Sequence, residues 1–296
     1  MFRKILFVIV VSAPHFLYAQ AGIDYLKILK NGGEYNKHDN RKLPSFTYQS
    51  STDPNLVALR KKYNLDSIAG NLNEASRALN LMHWVHNTIN HEVVLQGEIK
   101  DLNADAIITA SKEKKTGVTC KELATVLNDC YLAMGFKSRK VYCLPKDSAE
   151  NDADYHVINM VYLTSQKKWI WIDPTNDAYI MDRDGELLSI EDVRKLLVNN
   201  KPFIVNPEAN LNRDESVSEN EYITYMTKNL YELYSPLNSK YDNETRSVNK
   251  TVTYVHLVPL DYSKTNAFKS EYKKSDPSLT DVVYRTKNSS FFWQEP

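Results

Sequence analysis

Gly117-Val-Thr-Cys120-Lys-Glu-Leu-Ala124 is followed by Asp154-Tyr-His156-Val-Ile-Asn159, and then by Lys168-Trp-Ile-Trp-Ile-Asp173-Pro-Thr175. Cysteine, histidine and aspartate stand here in the chain order of a nucleophilic thiol site. In such a site the thiolate attacks, the imidazole moves the proton, and the carboxylate orients the ring. Thr119-x-x-Glu122 reads as a capping box, which makes Cys120 the first helical residue. The helix is expected to run to Met134 and to stop at Gly135. Leu123, Leu127, Cys130, Tyr131 and Met134 fall within about 80° of the Cys120 direction at 100° per residue. The thiol is therefore expected on the packed side of the helix, at its open end. A helix N-terminus carries partial positive charge, and an adjacent imidazolium adds more; both favour a thiolate. The Cys120 N–H is one of the first-turn donors without an intrahelical partner, so it is available to an oxyanion.

Three strands are expected after this helix: Ser138 to Leu144, Tyr155 to Leu163, and Lys168 to Asp173. Alternation places His156, Ile158, Met160 and Tyr162 on one face of the second, and Trp169, Trp171 and Asp173 on one face of the third. Thr164-Ser-Gln-Lys167 is short and polar, so these two strands read as an antiparallel hairpin. His156 begins one and Asp173 ends the other, and pairing brings them to one edge of the sheet. Taken singly, each residue suits a blander reading, a buried cysteine beside a core histidine. The cap, the order and the hairpin together favour a site.

Working outward, Asp53-Pro54 starts a helix through Leu56, Leu59 and Tyr63. Asn71-Leu-Asn-Glu74 begins another as a capping-box-like pair, with Ala75, Ala78, Leu79, Met82, Val85 and Ile89 as its apolar stripe. Asp182-Arg-Asp184-Gly185 reads as a turn, and Ser189-Ile-Glu-Asp192 caps a helix to Val198. Beyond Phe203 the chain is polar, with a helix expected at Glu219 to Tyr234 and a strand at Thr251 to Pro259. No repeat is visible.

The N-terminus reads as a secretory signal peptide: Arg3 and Lys4, an apolar run from Ile5 to Val11, and Ala19-Gln20-Ala21. The run is too short to span a membrane, and no later segment approaches that length. The expected organisation is a signal peptide at 1–19, a lead segment at 20–70, a core at 71–205 and a C-terminal extension at 206–296 that packs on it. An exported location, periplasmic or extracellular, follows. The 296 residues are 42 % hydrophobic and 25 % charged, ordinary for a folded globular chain. Net charge is zero and no basic run occurs, which argues against a nucleic-acid partner held through phosphates. Three cysteines, Cys120, Cys130 and Cys143, have no C-x-x-C spacing and make a poor zinc site. Cys130 and Cys143 read as small buried hydrophobes in preference to a disulfide.

Taken together, Gly117-Val-Thr-Cys120, Gly135-Phe-Lys-Ser138-Arg139-Lys-Val141, His156-Val-Ile-Asn159 and Trp169-Ile-x-Ile-Asp173-Pro174-Thr175 resemble the transglutaminase-like superfamily. The upstream Leu81-Met-His-Trp84-Val-His86-Asn87 fits members from Bacteroidetes-type bacteria. The resemblance spans about residues 75 to 200. It implies an α+β fold with a papain-like, transglutaminase-like core, the cysteine-bearing helix packed on an antiparallel sheet. By motif it puts the nucleophile on Cys120, the base on His156 and the orienting acid on Asp173, and it assigns no side chain to the oxyanion. It implies cysteine-dependent acyl transfer on an amide, with hydrolysis of a peptide, protein or peptidoglycan-type amide as first choice and protein cross-linking as second. A non-catalytic binding module on the same fold is the competing class. The mechanism calls for no metal or cofactor.

Other residues carry weaker signals. His83 and His86 are three apart on one helix, but without a third ligand by spacing they read as packing or surface residues. Trp84 suits either a cleft or the core. His256 has no partner by motif. Arg139 is expected to pair with a core carboxylate rather than to touch substrate.

Overall fold

The structure is a computed structural model describing residues 24–146, 155–213, 215–247, 249–273 and 279–296. The expected signal peptide lies outside the described residues. The described residues form helices α1 (Tyr25–Asn31), α2 (Pro54–Lys62), α3 (Leu65–Ala69), α4 (Glu74–Thr88), α5 (Ala104–Lys114), α6 (Cys120–Ala133), α7 (Ile190–Val198), α8 (Glu219–Asn229) and α9 (Ser289–Phe292). The strands of the main sheet are β1 (Lys137–Leu144), β2 (His156–Leu163), β3 (Lys168–Asp173), β4 (Ala178–Met181), β5 (Ile204–Val205), β6 (Glu232–Pro236), β7 (Thr251–Leu257), β8 (Lys269–Lys273) and β9 (Thr280–Thr286). Their spatial order is β8-β9-β7-β6-β1-β2-β3-β4-β5, and only the β7–β9 pair is parallel. This is the expected α+β architecture, a helix-covered and mostly antiparallel sheet.

Local sequence explains the helix starts. Asp53 caps α2 by accepting from the Asn55 N–H (2.9 Å), with Pro54 at the first position. Asn73, two residues later than expected, caps α4 by accepting from the Ser76 N–H (2.9 Å). Its side chain stands three residues before an open donor, which is the reach that capping requires. Thr119 and Glu122 form the expected box on α6, and Gly135, at φ +85°, turns the chain into β1 in a conformation that costs glycine little. Ser189 and Asp192 box α7.

The β2–β3 hairpin forms in the register Asn159↔Ile172 and Leu163↔Lys168. Alternation then sorts the side chains. Ile158, Met160, Trp169 and Trp171 face a core shared with α1, α7 and α8, whereas Val161, Leu163, Ile170 and Ile172 face the core under α2 to α6. His156 and Asp173 share the periodicity of the first set, yet α6 lies on the second face. The three residues therefore meet around the end of the sheet, where β2 begins.

Two expectations are corrected. The helix expected at Glu219 to Tyr234 stops at Asn229, and Glu232–Pro236 is a strand instead. There Tyr234 pairs with Tyr142 and with His256, so sheet pairing on both sides outweighs helical continuation. The strand from Thr251 ends at Leu257, two residues short of Pro259. The sequence pattern does not predict helices α1, α3, α5 and α9.

Arg139 does not meet a carboxylate. It is fully buried, lies over Phe46 (3.8 Å to the centroid), Trp169 (4.8 Å) and Phe292 (5.3 Å), and donates to the Phe292 carbonyl (2.7 Å). Aromatic faces stand in for the anion, and the contact ties α9 to the sheet.

Candidate active site

Cys120 opens α6 and is 9 % exposed, in an apolar cluster with Ala124, Tyr142 and Val157 on which Leu144, Tyr155 and Tyr234 pack. His156 and Asp173 are 3 % and 0 % exposed, so the thiol is the most accessible member of the three. His156 Nε2–H donates to Asp173 Oδ2 at 2.8 Å. That leaves Nδ1 as the ring nitrogen open toward Cys120, whose thiol is one of the groups that raise the His156 pKa. The structure thus brings the three residues to one place, with the carboxylate bound at Nε2 of the imidazole.

The electrostatics follow from this packing. Burial opposes the imidazolium, but the Asp173 charge, the hydrogen bond to it and the Cys120 contact outweigh that and push His156 up to about 10. Burial alone would raise Asp173, yet the His156 charge and hydrogen bonds from His156, Asn176 and Tyr222 bring it below its usual value. The carboxylate is also held by the Thr175 N–H at Oδ1 (2.9 Å), by Asn176 Nδ2 (3.0 Å) and by the Tyr222 hydroxyl at Oδ2 (2.9 Å). Tyr222 in turn accepts from Trp171 Nε1 (2.9 Å). The edge of Tyr225 abuts the His156 ring, with centroids 5.4 Å apart.

Tyr222 and Tyr225 come from α8, and no motif marked them. The legible signal was the Ser218-x-x-Glu221 capping box, which fixes the start of α8 and hence its inward face.

A second group escaped the sequence. After α4 the chain runs back beside the lead-in to Cys120, with His91 bridged to Val118 in parallel. The Val118 N–H donates to Asn90 O (2.9 Å), and the Glu92 N–H to Val118 O (2.8 Å). Gly117 is required here, because a Cβ would stand 2.5 Å from Asn90 O. The outer side of His91 is clasped by one amide: its N–H donates to Asn212 Oδ1 (2.6 Å), and Asn212 Nδ2 donates to its carbonyl (3.1 Å). Arg213 adds donors to Asn87 O (2.8 Å) and to Asn90 Oδ1. Asn212 and Arg213 both hold left-handed backbone, at φ 55° and 70°, strain that the surrounding contacts hold in place.

The remaining candidates resolve as packing. His83 Nδ1–H donates to Asp177 Oδ1 (2.6 Å), and His86 Nδ1–H to Pro174 O (3.1 Å). Trp84 is half-buried against Tyr63. His256 has a partner after all, Glu232 Oε1 at 2.7 Å from its Nδ1. All three cysteines are free thiols and buried, as expected of Cys130 and Cys143.

Residues 61–174 match the family model of the transglutaminase-like superfamily. No curated protein matches the chain. Among solved structures, one described as "a Putative Cysteine Protease from Cytophaga hutchinsonii" aligns at 16 % identity and a TM-score of 0.31. The alignment covers 44 % of this chain and 40 % of that one, and it carries no argument about activity. Residues 61–174 are thus a transglutaminase-like core, starting upstream of the segment that suggested the resemblance and ending just past Asp173. The family match takes in 114 of the 296 residues, and the mixed α+β fold around it is consistent with the papain-like, transglutaminase-like fold.

Proposed function

We propose that the protein is an exported enzyme performing thiol acyl transfer on an amide, with water as the usual acceptor. The observation that carries this reading is the His156–Asp173 hydrogen bond, with Asp173 saturated by donors and Cys120 acting on the same imidazole. A non-catalytic module has no use for a buried imidazole kept protonated beside a thiol. Cys120 attacks the carbonyl carbon as a thiolate, and the carbonyl π pair moves to oxygen. His156 gives its Nδ1 proton to the departing amine, leaving a thioester. The neutral ring then takes a proton from water, or from an amine acceptor, and the second attack frees the enzyme. Asp173 holds the ring orientation and stabilises the imidazolium.

Peptide, protein and peptidoglycan-type amides are the substrate classes that suit an exported bacterial enzyme; cross-linking is the second reading. Export rests on the signal-peptide pattern of residues 1–19. Among the described residues no helix is long and apolar enough to cross a membrane.

Alkylation by iodoacetamide tests the site. Cys120 should react at pH 6 well above the rate of a free thiol, and His156→Ala should abolish that advantage. A rate no faster than a free thiol's, unchanged in the variant, would remove the enzyme reading. A peptide library incubated with and without a primary amine separates the acceptors: amine-bearing products would favour cross-linking over hydrolysis.

A further inference from the structure

Acyl transfer at Cys120 creates a negative oxygen, and the donor named for it so far is the Cys120 N–H. We propose that the His91 side chain supplies the second donor, its ring N–H holding the oxyanion of the tetrahedral intermediate. This rests on the acyl-transfer reading above.

Position is the first argument. The bridge to Val118 places His91 beside the residue two before Cys120, on the strand-like segment that leads into the thiol. Gly117 is bare so that this approach can be close. The backbone is fixed from both sides, by Val118 within and by the Asn212 amide without. Such fixing is what an oxyanion donor needs, because a preorganised dipole reorients nothing as charge develops.

The second argument is what the ring lacks. It is half-buried, and among the described residues neither ring nitrogen has a hydrogen-bond partner. The rings of His83, His86, His156 and His256 all have partners. A half-buried imidazole with open nitrogens has an N–H free to meet an incoming acceptor oxygen.

The third argument is its charge state. Burial first, and then the positive His156 ring, lower His91 to about 4, although Asp173 and Glu92 pull the other way. The ring also lies within electrostatic reach of both His156 and Asp173. At neutral pH His91 is therefore uncharged, with one N–H to donate, and does not compete with His156 for the working proton. In the step itself the sulfur–carbon bond forms as the carbonyl π pair moves to oxygen. His91 donates a hydrogen bond to that oxygen without losing its proton. The pair then returns, expelling the leaving group.

Two reagents separate this role from others, because acylation passes through an oxyanion and alkylation does not. With p-nitrophenyl acetate, the burst of p-nitrophenolate from His91→Ala should be slower than wild type by 10²-fold or more. With iodoacetamide, the same variant should match wild type within about twofold, with the same pH dependence. His91→Gln keeps an N–H donor and should recover the burst to within about tenfold of wild type, whereas His91→Phe should not. Both rates falling together would make His91 an aid to the thiolate and overturn the proposal. An unchanged burst, or a glutamine variant as slow as phenylalanine, would overturn it as well. Wild type that alkylates fast but never acylates would instead refute the acyl-transfer reading, and the His91 role with it.

Discussion

The Tyr222 hydroxyl donates to Asp173 Oδ2 over 2.9 Å while accepting from Trp171 Nε1 over the same distance. A side chain from α8, beyond the matched residues 61–174, thus holds Asp173 of the candidate site. Burial first, and then the Asp173 charge, raise the Tyr222 hydroxyl well above its ordinary range, so it stays protonated and remains a donor. Tyr222→Phe should remove the donor from Asp173 and strand the Trp171 N–H. The expected cost is about 1–3 kcal/mol of unfolding free energy, read from a urea titration. The acylation burst should slow while the apparent affinity for p-nitrophenyl acetate holds.

Asp173→Asn tests the charge that keeps His156 protonated. In wild type the Asp173 field holds the His156 pKa at about 10, against an ordinary 6.5. The imidazolium is lost only as pH rises through that higher value, so the acylation burst should hold its rate to about pH 10. In the variant the alkaline limb should move down toward neutrality. The stability linkage has the same sign: the contribution of the pair is complete below pH 6.5 and is lost as pH rises through about 10. An alkaline limb that stays in place in Asp173→Asn would show that another group sets it.

Asp129 is a second titration, in the fold rather than the site. It is buried, accepts from the Ala104 N–H at the start of α5 (2.9 Å), and is pushed up to about 8, by burial first. The folded state then holds a proton that the unfolded chain releases near 3.8, so stability falls as pH rises between those values. The slope approaches about 1.4 kcal/mol per pH unit. Asp129→Asn should flatten that part of the stability profile and raise the melting temperature at pH 8, measured by calorimetry.

Gly117→Ala tests the clasp around His91. The new Cβ would meet the Asn90 carbonyl at 2.5 Å, a backbone atom that yields only if the segment moves. Overpacking of this kind costs about 1–3 kcal/mol. The burst with p-nitrophenyl acetate should drop more than iodoacetamide alkylation does. Asn212→Ala, which removes both hydrogen bonds to the His91 backbone, should show the same split.

The local devices were legible in the sequence. The Thr119–Glu122 box set the start of α6 and so the place of Cys120. The link at Thr164 to Lys167 closed the hairpin that brings His156 to Asp173. Periods of 2 and 3.6 residues, caps and turns are written within a dozen residues, which is the range over which a sequence pattern constrains the backbone. Only tertiary structure decided the rest. Strand Glu232–Pro236 reads as a continuation of its helix until β1 and β7 offer it partners. Arg139 looks like half of an ion pair until Phe46, Trp169 and Phe292 close over it. Tyr222 reaches Asp173 across 49 positions of chain, and Asn212 reaches His91 across 121. Those contacts depend on which surfaces the folded layers bring together, and no local periodicity encodes them. The sequence by itself singled out Cys120, His156 and Asp173 as candidates; the packing of α8 against the sheet decided what holds Asp173 in place.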